Sequence, residues 1–129
     1  MDSTESVNHN KRNAVDFLEL VIEGKIEEAY QKHTHRDGKH HNVYFPAGLP
    51  ALRSAMIENH KQFPVKQFDI KHVIGDGDMV AVHSHLVMNQ GEPGMVAVHL
   101  FRFERGKIVE FWDCGQQIPA EMPNADGAF

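Results

Sequence analysis

The feature that most constrains the fold is a series of four strand-like segments in the C-terminal half of the chain. Residues 66–74, 79–89, 95–104 and 107–116 are rich in β-branched and aromatic residues, and the turn sequences GDGD, QGEPG and ERG separate them. Strands that follow one another through such short turns pair in antiparallel fashion. The sequence therefore predicts an antiparallel meander.

The N-terminal half has helical rather than strand-like spacing. Apolar residues recur at helical intervals in residues 10–23, residues 26–32 suit a second short helix, and Pro50 is placed to begin a third that runs toward His60. The segment NVYF before it is predicted to be a short strand. Because helices precede the meander instead of alternating with strands, we predict the α+β class.

Length and charge limit the organisation and the partners. A chain of 129 residues suits a single domain, 1–129, in which we expect residues 1–8 to be a disordered lead-in and residues 117–129 an extended tail. The net charge of −5 argues against nucleic acid, and the short apolar runs argue against a membrane partner. The N-terminus does not resemble a secretory signal, and the single cysteine, Cys114, is compatible with the cytoplasm, which is the expected location.

The turn lengths predict which side chains face each other across the meander. A five-residue QGEPG loop pairs Asn89 with Met95 and sets His85 opposite His99. A three-residue ERG loop then places His99 diagonal to Asp113, within reach of a side-chain contact.

This register predicts one apolar face with several polar groups embedded in it. A four-residue GDGD loop pairs Ile74 with Met79 and puts His72 on that face as well. The apolar residues expected there are Phe68, Ile70, Ile74, Met79, Ala81, Val87, Met95, Ala97, Phe101, Phe103, Val109 and Phe111, and the polar ones include His83, His85, His99 and Asp113. The opposite face is also apolar enough to be covered, so we expect a homodimer through it.

Asp113 and His99 form a chemically sensible pair. A carboxylate on an apolar face tends to have a raised pKa, which suits a general base that works near neutral pH, and a nearby histidine can polarise a carbonyl. A purely structural interpretation is equally open at this point, in which Asp113 ties down a helix end and the histidines are satisfied core residues.

The order of elements and several segments resemble the nuclear transport factor 2-like superfamily, and within it the SnoaL-like proteins related to polyketide cyclases. The segments RDGKHHNVYFPAG, DGDMVAVHSHL, HLFRFERGKIVEFWD and GQQIPAEMPNADGAF carry the resemblance across nearly the whole chain. It implies a cone-shaped α+β barrel, in which a curved antiparallel sheet wraps around helices and encloses a pocket.

The same resemblance suggests roles for individual residues. In characterised cyclases of the family, an aspartate on the last long strand takes a proton from carbon, a histidine on the preceding strand assists, and no metal or cofactor is used. Asp113 and His99 fall on those positions. His41 and Asn42 match a His-Asn pair at the pocket mouth of similar proteins.

Three functions are compatible with these features. The first is an enzyme that abstracts a proton next to a carbonyl, in an aldol-type cyclisation or an isomerisation. Asp113 and His99 would be catalytic, with no cofactor and no metal. The residues expected to bind substrate are His83, His85, His41, Asn42, Tyr44 and Phe101.

The second function is a module that binds a small hydrophobic ligand without chemistry. The third is a metal site formed by His83, His85, His99 and Asp113.

The histidine-rich stretch HTHRDGKHHN, residues 33–42, is predicted to be two halves separated by a turn at Asp37 and Gly38. His33 and His35 are expected to face solvent. In the second half, alternation along a strand would send His41 to the opposite face from His40 and Asn42.

Overall fold

Three helices pack against one face of a five-stranded sheet. In the computed structural model, which describes residues 3–129, the elements are α1 (Ser3–Ile22), α2 (Ile26–His33), β1 (Thr34–His40), α3 (Leu49–Gln62), β2 (Gln67–Asp76), β3 (Met79–Val87), β4 (Met95–Glu104) and β5 (Lys107–Gln117). The predicted α+β class is confirmed. Within the described residues, no helix is both long and apolar enough to cross a bilayer.

The sheet has the strand order β1-β5-β4-β3-β2. Strands β2 to β5 form the predicted antiparallel meander, and β1 adds to the edge of β5 in parallel. The sheet is open, with β1 and β2 at its edges. We call the face that packs on the helices the inner face and the opposite face the outer face.

An aromatic cluster joins α1 to the inner face. The ring of Phe17 lies 5.8 Å from that of Phe101 and 6.0 Å from that of Phe111, and it also contacts Tyr30 of α2 at 5.2 Å, with edge-to-face geometry in each case. All four side chains are buried. Complete burial of one such side chain is worth about 1.5–3 kcal/mol, so this cluster fixes the position of α1 on the sheet.

The N-terminal residues belong to the fold. We expected residues 1–8 to be a disordered lead-in, but α1 already begins at Ser3, whereas residues 1 and 2 lie outside the described residues. The reason is that Val7 packs on β2, where Gly75 leaves room for it. Val7 thereby extends the apolar stripe of the helix to its first turns.

The histidine-rich stretch differs from the expectation at two points. His33 is buried, not solvent-facing, because its Nε2 donates to Asp16 Oδ2 of α1 at 2.6 Å. There is no turn at Asp37 and Gly38, because both lie within β1, although the pairing of β1 with β5 is interrupted by a bulge between Thr34 and Lys39. Gly38 serves a different purpose there: a Cβ would lie 2.5 Å from Leu49 of α3, so the glycine permits close packing of helix on strand.

The predicted strand at NVYF is a turn. Asn42 Oδ1 accepts from the backbone amide of Tyr44 at 3.0 Å, and the Asn42 carbonyl accepts from the amide of Phe45. This side-chain-to-backbone bond offers the chain a turn in place of a ladder. Val43 and Tyr44 are consequently 86% exposed.

The hairpin between β3 and β4 is longer than predicted. Leu86, not Asn89, pairs with Met95, and Val82 lies opposite His99. The turn already begins at Asn89, whose carbonyl and side chain both bond to Glu92. The resulting shift by an odd number of residues reverses the face of every β3 side chain relative to β4.

Two irregularities set the other strand pairs. The β2–β3 turn is shorter than predicted, because Asp76 lies opposite Met79. A bulge beside Lys71 changes the alternation along β2. As a result, Phe68 and Ile70 lie on the inner face, whereas His72 and Ile74 lie on the outer face. In the β4–β5 turn, Arg105 and Gly106 have φ of 52° and 79°, as a two-residue hairpin turn requires. A further bulge next to Phe103 brings His99 directly opposite Asp113.

Gly24 and Gly91 form a matched pair for a stability test, because both have a φ of 87°. A Cβ at Gly24 would overlap the His60 ring, whereas a Cβ at Gly91 meets nothing within 4 Å. We expect Gly91→Ala to lower the free energy of unfolding by about 1 kcal/mol through backbone strain alone. Gly24→Ala should lower it by at least about 1 kcal/mol more through overpacking.

Urea denaturation of the two variants measures this difference directly. Equal losses for both variants would show that the packing of His60 over Gly24 contributes nothing.

Candidate active site

A cavity of about 420 Å³ lies between the inner face and the helices, and it is open to solvent. Its size is within the range of small-molecule sites, and most of its lining is apolar. The lining residues are Leu18, Val21, Ile22, Asn42, Val43, Tyr44, Met56, Asn59, Lys66, Phe68, Leu86, Met88, Met95, Ala97, His99, Asp113, Cys114, Gly115 and Gln117.

Three polar side chains meet at one wall of this cavity. His99 on β4 and Asp113 on β5 are direct cross-strand partners on the inner face. Asn42, from the turn after β1, donates through Nδ2 to Asp113 Oδ2 at 2.9 Å. Among residues 3–129, no donor bonds to the other carboxylate oxygen, Oδ1. The arrangement therefore holds the carboxylate in place through one oxygen and leaves the second for a ligand.

The position of His40 explains why Asn42 reaches Asp113. His40 is buried at the end of β1, where its Nε2 donates to the carbonyl of Pro46 at 2.7 Å and its Nδ1 accepts from the amide of Asn42 at 3.1 Å. These two bonds fold the segment after β1 into a fixed turn. The Asn42 amide is thus presented to the cavity by backbone structure and not by a flexible side chain alone.

His99 is held in its neutral form. Burial lowers the pKa of its imidazole, and the charge of Asp113 opposes that effect only in part. Nδ1 is buried without a hydrogen-bond partner, so a proton there would be an unsatisfied donor. The favoured tautomer therefore carries its proton on Nε2, which makes His99 a hydrogen-bond donor. The parallel ring of Phe101, 6.1 Å away, supports the imidazole.

Tyr30 of α2 lies close enough to feel the charge of Asp113. Burial raises the pKa of its phenol, and the negative charge of Asp113 raises it further. Tyr30 therefore stays protonated and adds no second negative charge to this end of the molecule.

Lys66 is the second charged group that lines the cavity, and its positive charge is opposite to the negative charge of Asp113. It lies just before β2, and burial lowers the pKa of its ammonium group. Within the described residues, it has no hydrogen bond or ion pair.

A family model for the SnoaL-like domain matches residues 14–111. The chain belongs to the SnoaL-like domain family. The matched segment includes His99 and ends just before Asp113. A comparison with curated proteins gives no sequence match.

Solved structures share the fold of this SnoaL-like protein. AclR of Streptomyces galilaeus, a candidate hydroxylase, is 22% identical, with a TM-score of 0.71 over 88% of this chain and 82% of that one. A candidate SnoaL-like polyketide cyclase from Jannaschia sp. CCS1 is 18% identical, with a TM-score of 0.70 over 89% and 90%. An NTF2-like protein of unknown function from Cytophaga hutchinsonii is 13% identical, with a TM-score of 0.68 over 83% and 89%.

His83 and His85 were predicted to lie beside His99, and this is wrong. Both are on the outer face, because the longer β3–β4 loop reverses β3 relative to β4. His83 Nδ1 is 3.0 Å from Nδ1 of His72, and His85 Nε2 donates to the Pro93 carbonyl at 2.8 Å. The sheet separates them from His99 and Asp113, so these four side chains cannot share a metal ion.

Two further predicted substrate-binding residues lie outside the cavity. His41 is on the outer side, where its ring stacks on Trp112 at 5.1 Å and its Nε2 donates to Glu110 Oε2 at 2.6 Å. As strand alternation predicts, His41 lies on the opposite face from His40 and Asn42. Phe101 is fully buried in the aromatic core beneath His99. Asn42 and Tyr44 do line the cavity, together with the catalytic candidates.

Sequence reasoning missed the cavity residues that come from helices and connections. Met56 and Asn59 on α3, Met88 in the β3–β4 loop and Lys66 before β2 belong to this group. For Met56 and Asn59, helical spacing on α3 carries a weak signal. For Lys66 there is no local signal, because its position depends on the path between α3 and β2.

The lowered pKa of His99 predicts a specific dependence of stability on pH. Below pH 6.5, the unfolded chain binds a proton at this residue that the folded chain does not, so the wild type loses stability as the pH falls. Relative to His99→Leu, the free energy of unfolding of the wild type should fall by up to about 1.4 kcal/mol per pH unit in this window. Urea denaturation at pH 7.5 and 5.5 measures the effect.

The exposed His35 provides the control for this experiment. His35→Leu should keep the pH dependence of the wild type. If the curve of His99→Leu runs parallel to that of the wild type, then His99 is not held neutral by the fold.

Proposed function

We propose that this SnoaL-like protein abstracts a proton next to a carbonyl group of a small hydrophobic molecule, without a cofactor, and so promotes an aldol-type cyclisation or an isomerisation. The observation that carries the proposal is the cross-strand pair of His99 and Asp113 at the wall of an apolar cavity, with Asn42 bonded to the carboxylate. A base, a hydrogen-bond donor and a largely apolar space for a substrate are the parts that this reaction needs.

The chemistry follows from the two oxygens of Asp113. Oδ1 accepts the proton from carbon, while Oδ2 stays bonded to Asn42. The electron pair of the broken C–H bond moves into the C–C bond and on to the carbonyl oxygen, which becomes an enolate oxygen. His99 donates its Nε2 proton in a hydrogen bond to that oxygen and remains neutral overall.

The enolate carbon has two outcomes. In a cyclisation it attacks a second carbonyl carbon of the same molecule, whose oxygen then takes up the proton that Asp113 holds. In an isomerisation Asp113 returns its proton to a different carbon. Either outcome leaves Asp113 ionised for the next turnover once the proton has been passed on.

The dimensions and lining of the cavity indicate the kind of substrate. A volume of about 420 Å³ with methionine and phenylalanine side chains suits a compact, partly aromatic carbonyl compound. The structural similarity to a candidate polyketide cyclase points in the same direction.

Binding without chemistry is the second candidate function. It is favoured by the excess of apolar over polar lining, because a hydrophobic ligand can fill such a cavity without engaging His99 or Asp113. A ligand that is recovered unchanged after long incubation would support this function over catalysis.

The first test uses exchange of carbon-bound hydrogen. We expect the wild type to accelerate deuterium uptake from D₂O next to the carbonyl of a bicyclic aryl ketone such as 2-tetralone, followed by NMR. Asp113→Asn should lower the enzymatic rate by roughly 10²-fold or more, because the amide cannot accept the proton. The fold should be preserved, since an asparagine can still bond to Asn42.

Asp37→Asn is the matched control, because this carboxylate is 76% exposed and does not line the cavity. It should exchange deuterium at the wild-type rate. Equal rates for the wild type, Asp37→Asn and Asp113→Asn, each above the rate in buffer, would exclude Asp113 as the base.

We further propose that the protein is a homodimer through the outer face. Leu100 and Trp112 are cross-strand partners there, next to Val98, and form an apolar strip between the polar groups of β2 and the edge strand β1. Cytoplasmic location and the absence of nucleic acid and membrane partners remain predictions from the sequence.

A single charge on this strip tests the dimer. The wild type should sediment with twice the mass of the 14.6 kDa chain, and Leu100→Asp should sediment as a monomer, because a buried unpaired carboxylate opposes association. Val65→Asp is the control, since Val65 is 62% exposed and lies outside the strands. A wild type that sediments at 14.6 kDa across the concentration range would contradict the proposal.

A further inference from the structure

We propose that Lys66 selects substrates that carry an anionic group, such as a carboxylate, a phenolate or a stable enolate, at the end of the molecule remote from the carbon that loses its proton. This inference rests on the proposed function, whose cavity it shares, and it adds the chemical class of the substrate and the direction in which it binds.

Lys66 differs from most other lysines of the chain in having no partner. Lys25, Lys32, Lys61 and Lys71 each form an ion pair with a nearby carboxylate, at 2.7 to 3.4 Å. Within the described residues, no carboxylate lies within 4.0 Å of the Lys66 ammonium group. A partly buried cation without a partner is an unfavourable arrangement for stability alone, and a bound anion would relieve it.

The other polar groups of the lining do not supply that anion. Asp113 is the one carboxylate among the described residues that line the cavity, and it is bonded to Asn42 and paired across the strands with His99. The cavity thus has a negative group on the β4–β5 wall and a positive group beside β2, with apolar side chains such as Phe68 and Leu86 on the surface between them.

This separation of charge orients a ligand. An anionic substituent is repelled by Asp113 and attracted by Lys66, so it lies beside β2. The neutral carbonyl end of the same molecule is then left at His99 and Asp113. A bound molecule with the opposite orientation would place two negative charges together and leave the ammonium group unpaired.

Partial burial of the Lys66 ammonium group increases the difference in affinity between anionic and neutral ligands. The pKa of Lys66 is lowered by burial, which reports that the ammonium group is only partly hydrated. Charge-assisted hydrogen bonds are stronger where water is partly excluded, so the gain from an anion here exceeds that at an exposed lysine.

The test compares two fluorescent probes with the same aromatic skeleton, the anionic 8-anilinonaphthalene-1-sulfonate and the uncharged N-phenyl-1-naphthylamine. Titrations with wild type and Lys66→Met give the dissociation constants, and intermolecular NOEs to the methyl groups of Met88 and Met95 locate the bound probe in the cavity. We expect Lys66→Met to weaken the anionic probe roughly tenfold and to leave the neutral probe unchanged.

Lys61→Met is the matched control, because it removes the same charge from an exposed position outside the cavity. It should change neither probe, and Lys66→Arg should retain the preference for the anion. Near-UV circular dichroism and the urea midpoint show that each variant is folded.

The outcomes separate this inference from the proposed function. If the neutral probe binds in the cavity and the anionic probe binds equally to wild type and Lys66→Met, then the anion selectivity is wrong but the proton abstraction is untouched. If neither probe shows NOEs to the cavity methionines, then the cavity is not a binding site and both proposals fail. Neither result depends on turnover, so a loss of deuterium exchange in Asp113→Asn is independent of them.

Discussion

The pairing of β4 with β5 positions both the core and the site. In this hairpin the left-handed turn at Arg105 and Gly106 and the bulge beside Phe103 act together, and they decide which residue on β5 faces which on β4. Because side chains alternate between the two faces, a slip by one residue would move His99 and Asp113 to opposite sides of the sheet. The same slip would remove Phe111 from the aromatic cluster. Catalytic geometry and core packing therefore depend on one local structure.

The aromatic cluster explains why the cavity is at one end of the inner face. Phe17 fills the space over Phe101 and Phe111, so, among the described residues, no cavity remains between this part of the sheet and the helices. Further along β4 and β5 the inner-face residues become small, with Ala97 and Gly115 as cross-strand partners. Small side chains cannot reach the helices, and although Met95 folds over Gly115, the space between these residues and the helices is the cavity. The site thus lies at the boundary between a filled and an unfilled part of the same face.

How much of this could be predicted depends on the kind of signal each element carries. The β4–β5 turn is marked by Gly106 and flanked by clear alternation, so His99 and Asp113 were correctly predicted to share a face, although as diagonal neighbours, two residues out of register, and not as direct partners. The β3–β4 loop was misjudged because Met88 and Asn89 continue the strand pattern in sequence, whereas the bonds between Asn89 and Glu92 start the turn earlier. That error placed His83 and His85 on the wrong face.

Other parts of the site had no local signal. The buried position of His33 depends on Asp16, which lies 17 residues away on another helix. The contact of Asn42 with Asp113 joins residues 71 positions apart, and it depends on the parallel pairing of β1 with β5. Contacts of this kind arise from tertiary structure, and neither periodicity nor propensity specifies them.

The site contains polar groups whose arrangement stability alone would not favour. Buried polar groups are almost always hydrogen-bonded, yet the buried Nδ1 of His99 has no partner, and the partly buried ammonium group of Lys66 has none among the described residues. Elsewhere His33 and His40 satisfy such groups with short bonds, whereas Nε of Arg53 and Nδ1 of His60 are also buried without a partner in the described part of the chain. Departures from this rule tend to concentrate at functional sites, where a ligand completes what the fold leaves open. His99 and Lys66 lie at opposite sides of one cavity, and a single molecule with a carbonyl at one end and a negative charge at the other would engage both the Nε2 proton of His99 and the ammonium group of Lys66.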